Sequence, residues 1–118
     1  MITEDYVSFE TALLLKKKGF EQVGCQKQYN TQGDLCVGYC YGPVAPTLQM
    51  AMKWLREVRN IEINVSMSAL NSDNSREYMF NIFFTNERYL EPSKTKTGFK
   101  CYEKAAEAAI KYCLTNLI

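Results

Sequence analysis

The chain predicts an α+β domain, and three stretches carry that prediction. Between Gly42 and Ser68, GPVAPTLQMAMKWLREVRNIEINVSMS, apolar residues first recur at helical spacing and then switch at once to strict alternation. Tyr78, Phe80, Ile82 and Phe84 repeat the alternation. Tyr102, Ala105, Ala106, Ala109, Ile110, Cys113 and Leu117 return to the helical period. Periods of about 3.6 and about 2 residues are the imprint of a half-buried helix and a half-buried strand, because side chains return to one face at those intervals.

The first element is a helix from Ser8 through Lys18. Ser8 is a good N-cap, and Glu10 stands in the first turn, where the helix dipole favours negative charge. Lys16, Lys17 and Lys18 occupy the opposite, cation-favouring end, so this run reads as a solvated helix terminus rather than a phosphate site. Gly19 fits the left-handed position after the helix, with Phe20 folding back on Leu14 or Leu15. Phe9, Ala12, Leu13, Leu14 and Leu15 cover more than one stripe, which predicts burial on more than one side.

Two strands follow, Cys25 to Tyr29 and Leu35 to Tyr41, around the turn-forming run Asn30-Thr31-Gln32-Gly33-Asp34. Gly38 and Gly42 interrupt the second and mark a bulge or a close approach of backbone. No GxGxxG and no phosphate loop occurs here.

Pro43 and Pro46 lack an N–H, so a helix can begin only at or after the second. Either Thr47 caps it or Pro46 occupies its first turn behind Ala45. Leu48, Ala51, Met52, Leu55 and Val58 recur on one stripe, and Lys53, Arg56, Glu57 and Arg59 lie mostly opposite. Asn60 is the expected left-handed stop. Ile61, Ile63, Val65 and Met67 then alternate with Glu62, Asn64, Ser66 and Ser68, and the polar turn 71–77 joins this strand to Tyr78–Thr85 as a hairpin. Met79 and Phe83 make the second strand apolar on its other face as well, which requires a covering helix or a partner. Residues 86–100, NERYLEPSKTKTGFK, read as a long solvated loop.

The last helix carries Lys104, Glu107, Lys111 and Thr115 on its polar side, with Glu107 and Lys111 in the favourable order for an ion pair. The expected order is therefore α-β-β-α-β-β-α. An antiparallel sheet of about four strands packs with three helices in one domain, residues 1–118.

Composition bounds what such a domain does. A length of 118 residues supports a core without staples, and a formal charge of +1 creates no field that would draw nucleic acid or an anionic membrane in bulk. The acidic N-terminal stretch lacks the order of a signal peptide, and no apolar run approaches a membrane span, so a cytoplasmic protein is expected. Cys25, Cys36, Cys40, Cys101 and Cys113 are scattered, without a CxxC pair, and are expected to be reduced.

Chemistry is conspicuous by what is missing. With no histidine, the commonest general base and the commonest metal ligand are both absent. Carboxylate pairs such as Glu57/Glu62 and Glu87/Glu91 carry nothing that separates them from ordinary surface residues. The expectation is no enzyme, with no catalytic residue, no cofactor and no metal.

Three stretches, VSFETALLLKKKGF at 7–20, APTLQMAMKWLREVRNIEINV at 45–65 and YEKAAEAAIKYCLTNLI at 102–118, resemble a group of small uncharacterised proteins from gut Bacteroidales and their prophages and phages. The resemblance implies an α+β fold and a phage or mobile-element origin. It implies no activity, cofactor or catalytic residue.

Two functional expectations follow. The first is a non-enzymatic accessory protein acting through protein–protein interaction or as a homodimer. Its candidate contact residues are Met50 and Trp54 on the central helix and Met79 and Phe83 on the strand, since Met and Trp are enriched in interface cores. The alternative is weak nucleic-acid binding by the stretch 94–100, where Lys94, Lys96 and Lys100 supply charge and Phe99 a stacking surface.

Overall fold

The structure is a computed structural model that describes residues 2–21, 27–37, 41–88 and 91–118. In chain order it comprises α1 (Phe9–Lys17), β1 (Lys27–Tyr29), β2 (Leu35–Val37), α2 (Leu48–Val58), β3 (Ile61–Leu70), β4 (Arg76–Phe84), β5 (Lys94–Phe99) and α3 (Tyr102–Tyr112). A π-helical turn, Cys113–Leu117, continues α3. The α+β class is the one the periodicities predict, and the order of elements departs from the expected α-β-β-α-β-β-α by one added strand, β5. The single sheet of about four strands expected from the sequence is corrected to two, an antiparallel pair β1-β2 and an antiparallel sheet β3-β4-β5, because β4 pairs on its second side with β5 and not with the first hairpin.

The expected loop 86–100 is corrected in its second half. Residues 94–99 add β5 to the free side of β4, with Ile82 opposite Lys94 and Phe80 opposite Lys96. Alternating Lys and Thr residues disguise this edge strand, because its only sizeable apolar side chain is the terminal Phe99. In the first hairpin, the predicted parts at 25–26 and 38–40 lie outside the described residues.

Helix termini are set by local chemistry. The Ser8 side chain accepts from Thr11 N at 3.2 Å. At the other end Phe20 N donates to Leu15 O (2.9 Å) and Gly19 N to Lys16 O (3.2 Å), with Gly19 at φ 93°. These two bonds make a Schellman closure. Thr47 is the N-cap of α2, accepting from Met50 N at 3.1 Å, which decides between the two starts left open by the sequence. Asn60 is left-handed (φ 58°) where α2 gives way to β3.

The β3-β4 register pairs Ile61 with Phe84, Ile63 with Ile82 and Val65 with Phe80. That register puts Ile61, Ile63, Phe80 and Ile82, all buried, on the face that α3 and α2 cover. Leu15 from α1, Leu55 from α2, and Ile110 and Leu114 beyond complete the same core. Leu13, expected inside, is 44 % exposed, and α1 packs mainly on α3 and on the π-helical turn that continues it.

The proline segment stitches the N-terminus to the first hairpin. Pro43 O accepts from Tyr29 N (2.9 Å) and Pro46 O from Val7 N (3.0 Å), while Leu48 N donates to Asp5 O (3.0 Å). Gly42 is obligatory at the start of this run, since a Cβ there would run into Tyr29 O. Cys36 is disulfide-bonded, which corrects the expectation of reduced thiols at that position. Its strand is half-open to solvent, so the sulfur is not sequestered in the core. Cys101 and Cys113 are free.

Candidate functional site

Met50 and Trp54 come together on the outer side of α2. Apolar residues one turn apart on a helix lie above one another, and here Met50, Trp54 and Val58 extend the stripe past the edge of the core. Met50 is 43 % exposed and Val58 58 % exposed. With Phe20 they line a groove of ≈ 300 Å³ to which Glu21, Lys53 and Glu57 add charge.

Trp54 is half-buried, and its ring meets Phe20 edge-on with centroids 5.5 Å apart. The Arg59 guanidinium sits 5.5 Å from the indole centroid and donates to Lys18 O (2.6 Å). Trp54 therefore joins α2 to the end of α1 with one edge and faces the groove with the rest.

Met79 and Phe83 are elsewhere. They share the side of β4 that points away from the helices, opposite Ser66 and Glu62 on β3, with Asn81 between them bonded to the Thr95 hydroxyl (2.6 Å). Both are half-buried. Amide and hydroxyl groups separate the two apolar side chains, so they form no continuous patch.

The lysines expected to meet nucleic acid are on or beside β5. Lys94 Nζ lies 5.3 Å from the Tyr112 ring and Lys96 Nζ 5.7 Å from the Phe99 ring. Phe99 itself packs against Phe80 at 5.7 Å and is half-buried. The aromatic surface that was to stack on a base is thus turned toward the core, and two of the cations rest on rings of the chain itself. Lys100 is exposed at the end of the strand.

A second groove, of ≈ 580 Å³, went unforeseen. Glu4, Asp5, Glu103 and Glu107 line it together with Tyr29 and Leu48. Glu107 is corrected from a solvent-facing residue of α3 to a clamp on α1. Its Oε1 accepts from Ser8 N (3.1 Å), Ser8 Oγ (2.6 Å) and Thr11 Oγ1 (2.6 Å). Thr11 is fully buried, so this bond satisfies a hydroxyl with no access to water. Glu107 Oε2 is buried without a hydrogen-bond partner among the described residues. Lys111, expected to pair with Glu107, pairs with Glu10 instead (2.7 Å).

Tyr29 completes that corner. Its hydroxyl donates to Val7 O at 2.7 Å, and burial, reinforced by the Glu107 charge, raises its pKa above the usual phenol value. No signal in the sequence joins Ser8 to Glu107, which is 99 residues away. The capping serine was legible, but its second partner was not.

Among the described residues, no group of three or more His, Cys, Asp or Glu is placed to hold a metal ion. Likewise none of their helices is long and apolar enough to cross a membrane. No family model, curated protein or solved structure matches the chain.

Proposed function

We propose that this is a non-enzymatic interaction protein whose docking face is the α2 groove. The observation that carries the reading is the convergence of Phe20, Met50, Trp54 and Val58 on one concave surface, with Met50 and Val58 open to solvent. An aromatic anchor flanked by exposed apolar side chains, with charged residues alongside, is the anatomy of a protein contact site. Polar spacing denies the outer sheet face the same continuity, and the β5 lysines are engaged with rings of the chain. A role as a phage or mobile-element accessory factor accords with the resemblance carried by residues 7–20, 45–65 and 102–118.

The test is site-specific photocrosslinking in cells. A benzophenone amino acid at position 58 is expected to yield an adduct containing a second polypeptide chain. The same probe at position 67, on the remote hairpin, is expected not to. If neither position gives a polypeptide adduct, or both give the same set, the groove is not a docking face.

A further inference from the structure

We propose that the occupant of the α2 groove is a second copy of this chain, docked with its own α2 antiparallel across a two-fold axis near Trp54. The inference rests on the reading of that groove as a docking face and adds the identity of the partner.

Symmetry makes the proposal specific. In a two-fold contact the same patch serves both subunits, so it must be complementary to itself. When two helices run antiparallel about such an axis, residues equidistant from it face each other, and each flank meets the same flank of the other copy. With the axis midway between Trp54 and Leu55, Met50 of one subunit lies within one residue's rise, about 1.5 Å, of Val58 of the other, and the two indoles lie side by side. Lys53 and Glu57 are on a single flank of the stripe, one turn apart, so the same axis brings each Lys53 within one residue's rise of the Glu57 of the other copy, and closer to it than to the other Lys53. An apolar centre is thereby bracketed by two identical charge pairs of opposite sign.

Two further observations fit. Lys53 and Glu57 are both exposed, and neither belongs to an ion pair within the described residues of the chain, where the pairs are Arg56–Glu62 and Lys111–Glu10. Their charges are available to an incoming surface. The formal charge of +1 leaves little long-range repulsion between two copies, a condition that favours association. An 11-residue helix presents a small area, so the dimer belongs to the weak, concentration-dependent class.

The experiment is a charge swap read by sedimentation of the full chain. Wild type is expected to show a reversible monomer–dimer equilibrium. Lys53→Glu alone sets a new carboxylate against Glu57 of the other copy, and Glu57→Lys alone sets a new ammonium group against Lys53. Each variant is expected to weaken self-association by about tenfold or more, since both pairs become repulsive at once. In an equimolar mixture, the mixed dimer places the new carboxylate of one variant opposite the new ammonium group of the other. Its second pair joins the unaltered Glu57 of the first variant to the unaltered Lys53 of the second. Both pairs are attractive again, and the mixture is expected to dimerise at least as well as wild type. Persistent monomer for wild type at millimolar concentration overturns the proposal, as does a mixture no more associated than its separate components. If wild type is monomeric while the probe at position 58 still traps a different polypeptide, the groove remains a docking face and only the second copy is excluded.

Discussion

Ser8 Oγ donates to Glu107 Oε1 across 2.6 Å, so one serine both caps α1 and anchors it to α3. The carboxylate lies at the N-terminal end of α1, where unsatisfied N–H groups and the helix dipole favour negative charge. Three donors converge on its Oε1, and one of them, Thr11, has no alternative partner in water.

Removing the carboxylate is therefore expected to cost more than an ordinary surface substitution. Glu107→Ala leaves the buried Thr11 hydroxyl only the longer contact to Ser8 Oγ (3.1 Å) and uncouples the two helices, with an expected loss of about 2–3 kcal/mol in urea unfolding. Ser8→Ala loses the cap and one charge-assisted bond, about 1–2 kcal/mol. The double variant should fall short of the sum by about 1 kcal/mol, because both changes break the same bond. Strict additivity would show that the two residues act independently.

Gly42→Ala tests the stitched N-terminal corner. A methyl group there would collide with the backbone oxygens of Tyr29 and Asn30, which are held by their own hydrogen bonds and cannot swing aside as a side chain would. The expected destabilisation is about 1–3 kcal/mol. An unchanged melting temperature would mean that the Gly42–Tyr29 approach is looser than the structure shows.

The thiols should separate by chemistry. Burial pushes Cys113 up to about 12 from an ordinary 9.0, so the folded state holds its proton where the unfolded chain has lost it. The contribution to stability is complete below pH 9, then falls by about 1.4 kcal/mol per pH unit as pH rises toward 12. The raised Tyr29 phenol acts in the same direction. Alkaline unfolding should accordingly set in above pH 9, and Cys113→Ser should flatten its onset. In mass-spectrometric alkylation at neutral pH, half-exposed Cys101 is expected to react in the native protein and Cys113 only after unfolding. Cys36 should react only after a reductant is added.

Nucleic-acid binding makes a separate demand. Lys94 and Lys96 lie against Tyr112 and Phe99, so a low-salt mobility shift with a single-stranded oligonucleotide is expected to show no stable complex. Low salt is where phosphate contacts are strongest. A shift abolished by Lys94→Ala with Lys96→Ala would establish the nucleic-acid reading in its place.

Much of the architecture is local in origin and was legible on that account. Ser8, Gly19, Thr47 and Asn60 act through bonds to backbone within a few residues or through their own φ, and each terminus appears where those residues predict it. The alternation at 61–67 and 78–84 determines which face of each strand is buried, because a slip by one residue would turn the whole face to water. Met50 and Trp54 were recognisable as a pair for the same reason, being one turn apart.

The tertiary structure alone decided the rest. β5 exists because β4 offers it an edge; its Lys-Thr pattern has no apolar face of its own to announce a strand. Glu107 looked solvated because its alternatives to water, Ser8 and Thr11, are brought to it only when α1 packs on α3. Phe99 resembled a stacking platform until the sheet turned it onto Phe80. A sequence determines where a side chain stands on its own helix or strand through fixed periods. Which distant group satisfies a polar atom, or which ring a cation rests on, is set by the packing of elements far apart along the chain.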